Sequence, residues 1–129
     1  MSDLIVTVPL PPSLLQPNRK SHWAKKSRAV RDYRWAAKMA CLAALREAKE
    51  IIAWDAAEVE PHFYFRVKRR RDPDNLAASL KAARDGLADA GLVKNDCNIR
   101  NAEPVVHIDK DNPRVELWIR KLKLLVAIG

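Results

Sequence analysis

Residues 4–8 alternate weakly between apolar and polar positions and are rich in β-branched side chains, which predicts a strand. Pro9, Pro11 and Pro12 end it, and residues 14–22 are polar and irregular, as in a loop. Residues 25–50 then run without Gly or Pro. Val30, Tyr33, Ala37, Cys41, Ala44 and Ala48 recur there at three- or four-residue spacing, predicting an amphipathic helix whose basic first turns lie at the surface. A second strand is expected over 57–67, where Phe63, Phe65 and Val67 alternate, with Pro61 near its start or on a sheet edge. Residues 73–90 predict a second helix, opened by Pro73 and ended by Gly91. Strands follow at 105–108 and 115–119, and residues 109–113 between them have hairpin-turn composition. The apolar stretch 122–129 reads as a packed tail or part of a dimer surface. The order β-α-β-α-β-β predicts an α+β domain with a mixed sheet of about four strands and two main helices.

At 129 residues the chain is expected to form one domain, and 48% hydrophobic content is enough for one core. Cys41 and Cys97 do not make a disulfide framework and read as reduced thiols. No apolar run approaches the roughly 20 residues of a membrane span. The N-terminal residues carry neither a basic leader nor a long apolar segment, so no secretory signal or membrane association is expected, and a cytoplasmic location is.

Charge narrows the class further. The net charge of +8 favours a polyanionic partner, because each Lys or Arg that meets a phosphate releases counterions. The cations are clustered. Arg19, Lys20, Lys25, Lys26, Arg28, Arg31 and Arg34 form one group; Arg66, Lys68, Arg69, Arg70 and Arg71 form another. No Gly-rich phosphate loop is present, and no Ser or Cys nucleophile constellation is visible. His62 and His107 read as structural. Trp35, Trp54 and Trp118 read as packing residues, whereas Trp23, next to His22 in the basic segment, is a candidate for contact with DNA.

The most informative stretch is 69–96, which places acidic residues beside the second basic run. On one straight helix from Pro73, with Asp74 at zero, Lys81 falls near −20° and Asp85 near +20°, whereas Leu76, Leu80, Ala83 and Leu87 fall at about 180–240°. Asp72 stands at the helix mouth, and Asp96 lies in the loop beyond Gly91. Carboxylates repel a phosphate backbone unless a divalent cation stands between them; Mg²⁺ takes one or two carboxylates plus water and phosphate oxygens. Taken one at a time, each residue also has an ordinary structural role. Asp72 is a good N-cap, Asn75 a helix-start residue, Lys81 and Asp85 an i,i+4 surface pair, and Asp96 a turn residue.

Taken together, Asp72-Pro73-Asp74-Asn75-Leu76, Lys81, Asp85-Gly86-Leu87, Ala90-Gly91 and Asn95-Asp96 resemble the pattern of the RusA family of Holliday junction resolvases. The opening strand followed by Pro11-Pro12-Ser13 and Asn18 is similar to that family's start. Asn95 departs from an acidic pair, and the seven-residue gap from Asp74 to Lys81 is longer than in some members, by close to one helical turn. The resemblance implies a crossover junction endodeoxyribonuclease of phage or prophage origin. It further implies a homodimer acting on four-way junction DNA, with Mg²⁺ or Mn²⁺ and no small-molecule cofactor. It implies Asp72, Asp74 and Asp96 as metal ligands, Lys81 as the basic residue assisting cleavage, and Asp85, with Asn75, as supporting residues. Arg19, Lys20, Lys25, Lys26, Arg28, Lys68, Arg69, Arg70 and Arg71 are expected to hold DNA through its phosphates. Two other readings stand beside this one: a non-catalytic junction-binding protein, and a less selective nuclease of branched DNA.

Overall fold

The structure, a computed structural model, describes residues 2–16, 22–50 and 53–123. It is an α+β domain: a mixed five-stranded sheet with a helical layer on one face. The elements are β1 (Leu4–Val8), α1 (Trp23–Ala48), β2 (Ala56–Phe65), α2 (Pro73–Ser79), α3 (Lys81–Asp89), β3 (Ile99–Asn101), β4 (Val105–Ile108) and β5 (Arg114–Leu122). Short 3₁₀ turns lie at Ser13–Leu15 and Asp96–Asn98. Among the described residues no helix is long and apolar enough to cross a membrane.

β2 is the spine of the sheet. β5 pairs antiparallel along one side of it, with Val59 opposite Ile119 and Phe63 opposite Val115, and β1 pairs antiparallel with the outer side of β5. The other side of β2 is shared by two short parallel strands, β3 along Ala57–Val59 and β4 along His62–Phe65. Side chains alternate across the sheet. Val6, Val59, Phe63, Val115, Leu117 and Ile119 enter the core beneath the helices. Tyr33, Ala37, Cys41 and Leu45 form the buried stripe of α1. The Tyr33 hydroxyl donates to the Pro9 carbonyl at 2.7 Å, pinning α1 to the end of β1, and burial raises its pKa. Burial likewise pushes the Cys41 thiol up to about 11, so it packs as an inert side chain, whereas Cys97 is an exposed free thiol.

Four expectations are corrected. First, β4 and β5 do not form a hairpin. The 109–113 turn straddles the end of β2, which lies between the two strands, and Asp109 N–H donates to the Phe65 carbonyl. Turn composition reports a chain reversal but not what lies between the strands it joins. Second, Pro61 sits mid-way along the central strand. The Val59 carbonyl accepts from Ala102 N–H on the β3–β4 side, so the Pro61 nitrogen two residues on faces that side too. There the parallel neighbour is interrupted between Asn101 and Val105, and no ladder donor is needed.

Third, the second helix is broken. Ser79 is buried and its hydroxyl donates to the Leu76 carbonyl at 2.7 Å, a back-bond that bends helices. Leu80 then leaves helical geometry (φ −97°, ψ 4°) before α3 begins. Leu76 is consequently half-buried, while Leu80, Ala83 and Leu87 are buried as expected. Fourth, Ala44 is only half-buried and Ala48 is exposed, Val67 lies beyond β2 and is exposed, and Trp35 projects from α1 with 62% of its surface accessible. The tail expectation lies outside the described residues apart from Leu122, which ends β5, and Lys123.

α1 and α3 cross in close contact, and Gly86 makes the approach possible. A Cβ there would overlap the Arg34 carbonyl oxygen and lie 2.9 Å from the Ala37 Cβ.

Candidate functional site

Asp72 caps α2. Its Oδ1 accepts from Asp74 N–H at 2.9 Å, and its carbonyl accepts from Leu76 N–H. Pro73 at the first helical position has no N–H to leave unsatisfied there. This puts two exposed carboxylates, Asp72 and Asp74, at the cap and first turn of the helix, followed by the half-buried Asn75. Neither carboxylate has an ion-pair partner among the described residues, although the exposed cations Lys68, Arg69 and Arg70 immediately precede them in the chain.

The break at Leu80 falls between Asp74 on α2 and Lys81 and Asp85 on α3. Lys81 and Asp85 stay together on α3, with Lys81 Nζ 3.2 Å from Asp85 Oδ2. Asp85 also faces Arg34 Nη1 at 4.0 Å. Arg34 grips Asp89 with two bonds, Nε to Oδ2 at 2.5 Å and Nη2 to Oδ1 at 2.8 Å. The hydrogen bonds from Arg34 hold the Asp89 carboxyl below its ordinary range, outweighing desolvation. The sequence reading missed Asp89. It lies four residues after Asp85, which placed it on the same helical face.

Asp96 begins the 3₁₀ turn after α3, where Asn95 Oδ1 accepts from Cys97 N–H. It lines a cleft of about 340 Å³ together with Arg34, Asp85, Asp89 and Lys94. Asp96 therefore shares the lining of this cleft with Asp85 and Asp89. Among the described residues no three His, Cys, Asp or Glu side chains, Asp72, Asp74 and Asp96 included, are gathered as a metal would require.

The basic residues divide by environment. Lys25 and Arg28 are exposed on the first turns of α1, Lys26 is half-buried, and none of them has an ion pair among the described residues. Arg19 and Lys20 lie outside the described residues. Arg71 behaves unlike its neighbours. Its guanidinium stacks 3.5 Å over the Phe65 ring, and burial, with Arg69 nearby, lowers its pKa. It is a packing residue at the end of β2 as much as a surface cation. Trp23 is 76% exposed and stacks on the ring of His22.

The face of the sheet opposite the helices carries a second polar group. His62 is buried between its neighbours: its ring stacks on Trp118 at 3.8 Å, its Nδ1 lies 2.8 Å from His107 Nε2, and its Nε2 lies 2.6 Å from Glu60. Tyr64 stacks on His107, and Arg114 lies over the Tyr64 ring and pairs with both Asp109 and Glu116. Burial pushes the Glu116 carboxyl up, but hydrogen bonds from Trp118 and Arg114 bring it below its ordinary value. These contacts close on one another, and both histidines lie on strands.

No family model matches the chain. Among curated proteins, it is similar to an uncharacterized protein of Xylella fastidiosa (strain Temecula1 / ATCC 700964), 32% identical over 85 residues, which are 66% of this chain and 56% of that relative. The chain thus spans about half the length of the curated relative it matches.

Proposed function

We propose that this protein is a Mg²⁺- or Mn²⁺-dependent endodeoxyribonuclease that cuts four-way junctions as a homodimer. The observation that carries the reading is the pair Asp72 and Asp74. They are two exposed carboxylates without an ion-pair partner among the described residues, set directly after an exposed basic run in a chain of net charge +8. In so basic a chain, two exposed carboxylates that pair with no described cation are open to a divalent ion that bridges them to phosphate.

The donor set at the α2 mouth fits a hard cation: two carboxylates, with water and phosphate oxygens left to complete the shell, is the usual way proteins hold Mg²⁺. Asp72 and Asp74 would hold it; when bound, it supplies an activated water and neutralises charge on the attacked phosphate. Everything else falls to the chain. Lys68, Arg69 and Arg70 hold the phosphates of one arm, and Lys25, Lys26 and Arg28 those of another. Asp85 orients Lys81, whose ammonium offsets the negative charge that builds on the scissile group. Asp96 is the third carboxylate in the RusA-like pattern; it lines the cleft along α3, so the reading rests on Asp72 and Asp74. A twofold dimer presents two such sites, which suits paired nicking of a symmetric junction.

The placement of Asp96 in the α3 cleft favours a second reading, a junction-binding protein without catalysis. A synthetic four-way junction incubated with the protein in Mg²⁺ and in EDTA separates the two. Symmetric nicks in Mg²⁺ and none in EDTA are expected. Retention of the junction without nicks under both conditions would leave only the binding protein.

A further inference from the structure

The break in the second helix and the interruption beside Pro61 meet at one place. Where β3 ends and β4 has not begun, the sheet leaves a gap, and the small side chains Ala77 and Ala78 of α2 stand over it. The result is a cleft of about 320 Å³, distinct from the acidic cleft beside Arg34. Its walls are aliphatic, from Val59, Pro61, Leu80 and Leu117 among others, and its polar lining is Lys81, Arg84 and Asn101. Arg84 has no ion pair among the described residues.

We infer that this cleft receives a single unpaired nucleobase, an inference that rests on the DNA-cutting reading above. Three features commit the cleft to that occupant. Its volume lies at the small end of ligand pockets, which run from roughly 300 to 1,000 Å³, and so suits one base rather than a long chain. Aliphatic walls accept the faces of a flat heterocycle, while the Asn101 amide can both donate to and accept from its edge. The cations Lys81 and Arg84 on α3 complement the phosphates that flank a base, a need that an apolar peptide side chain would not have. Extruding a paired base beside a branch point costs a few kcal/mol of unpairing and unstacking, whereas a mismatched or already single-stranded nucleotide supplies it at the least cost. Lys81 then lies at both the proposed chemistry and the cleft, so a seated base would fix which phosphodiester meets the α2 carboxylates.

The test uses the full chain labelled with ¹³C at Ala and Leu methyl groups and two single-stranded probes, a tetranucleotide and its abasic counterpart of equal charge. The tetranucleotide should shift the methyl signals of Ala77, Ala78, Leu80 and Ala102; the abasic strand should not. The tetranucleotide should bind roughly tenfold tighter than the abasic strand, and Ala78→Phe, at an exposed position facing the cleft, should remove that difference. Identical spectra with both probes, or cleft methyl signals that stay still while the tetranucleotide binds, would overturn the inference. Junction nicking measured in parallel keeps the two ideas apart. A protein that nicks junctions without a base-dependent methyl response loses the base cleft and keeps its activity; one that responds to bases but never nicks loses the nuclease reading.

Discussion

The two acidic regions of this domain are close in sequence and opposite in character. At the mouth of α2, Asp72 and Asp74 are exposed and unpaired among the described residues. Along α3, Asp85 and Asp89 are held by Lys81 and Arg34. A carboxylate already neutralised by a built-in cation ties elements together, here α3 to α1. One left unneutralised in a strongly basic chain is available to a ligand. The difference teaches that acidic clustering in sequence does not report pairing: the α3 carboxylates carry built-in cations, and those at the α2 mouth carry none among the described residues.

Substitutions can break that division. The largest effect is expected for Asp74→Asn: junction nicking should fall by at least about a hundredfold, on the scale of losing an electrostatic stabiliser. Unfolding free energy should change by less than about 0.5 kcal/mol. Gel assays and denaturant titration measure the two. Asp89→Asn should do the reverse, lowering stability while leaving the nicking rate unchanged, and a nicking defect in that variant would erase the distinction between the regions.

Next in size is Gly86→Ala. The added methyl meets the α1 backbone at the crossing, so a loss of about 3 kcal/mol is expected in urea unfolding. Replacing Arg69 and Arg70 by Ala should weaken junction binding and reduce the slope of log affinity against log salt by about 2, roughly one for each phosphate no longer neutralised. An unchanged slope would remove these residues from the DNA surface.

The smallest effect sharpens the comparison by pH. Asp89 has its pKa lowered in the folded protein, so its contribution is fully present above the ordinary carboxylate value and is lost as pH falls through the lowered one. Arg34→Met should cost about 0.5–1 kcal/mol near neutrality, the range of a solvent-screened pair. The difference from the wild type should shrink in that acidic window. A difference that persists below it would mean that Arg34 acts by packing rather than by charge.

Much of the fold is legible in the chain because it depends on local patterns. The alternation marks β1 residue for residue, the helical spacing marks α1 to within two residues at each end, and Gly91, with φ 81°, ends the second helical segment as expected. What escapes depends on tertiary context. β3 is three residues long and gains its pairing from β2, so no periodicity marks it. The sheet order requires β2 to lie between β4 and β5, which the turn at 109–113 cannot announce. The break at Leu80 has a cue in Ser79, a back-bonding residue inside an apparently continuous helix. It matters for the site, because the sequence reading lays Asp74, Lys81 and Asp85 out on one straight helix and the interruption at Leu80 falls between the first of them and the other two. Lys81 and Asp85 do stand together as their spacing requires; the position of Asp96 in the cleft that Arg34 also lines is out of reach of any local rule.

The central claim is that the α2 carboxylates, and not those of α3, bind the divalent ion. Paramagnetic broadening of backbone amide signals by substoichiometric Mn²⁺, recorded on the protein without DNA, tests it most directly. Selective loss of the signals of Asp72, Asp74 and their neighbours, abolished by Asp74→Asn and competed away by Mg²⁺, is the predicted result. Broadening centred on Asp85, Asp89 and Asp96, or none at all, would contradict it.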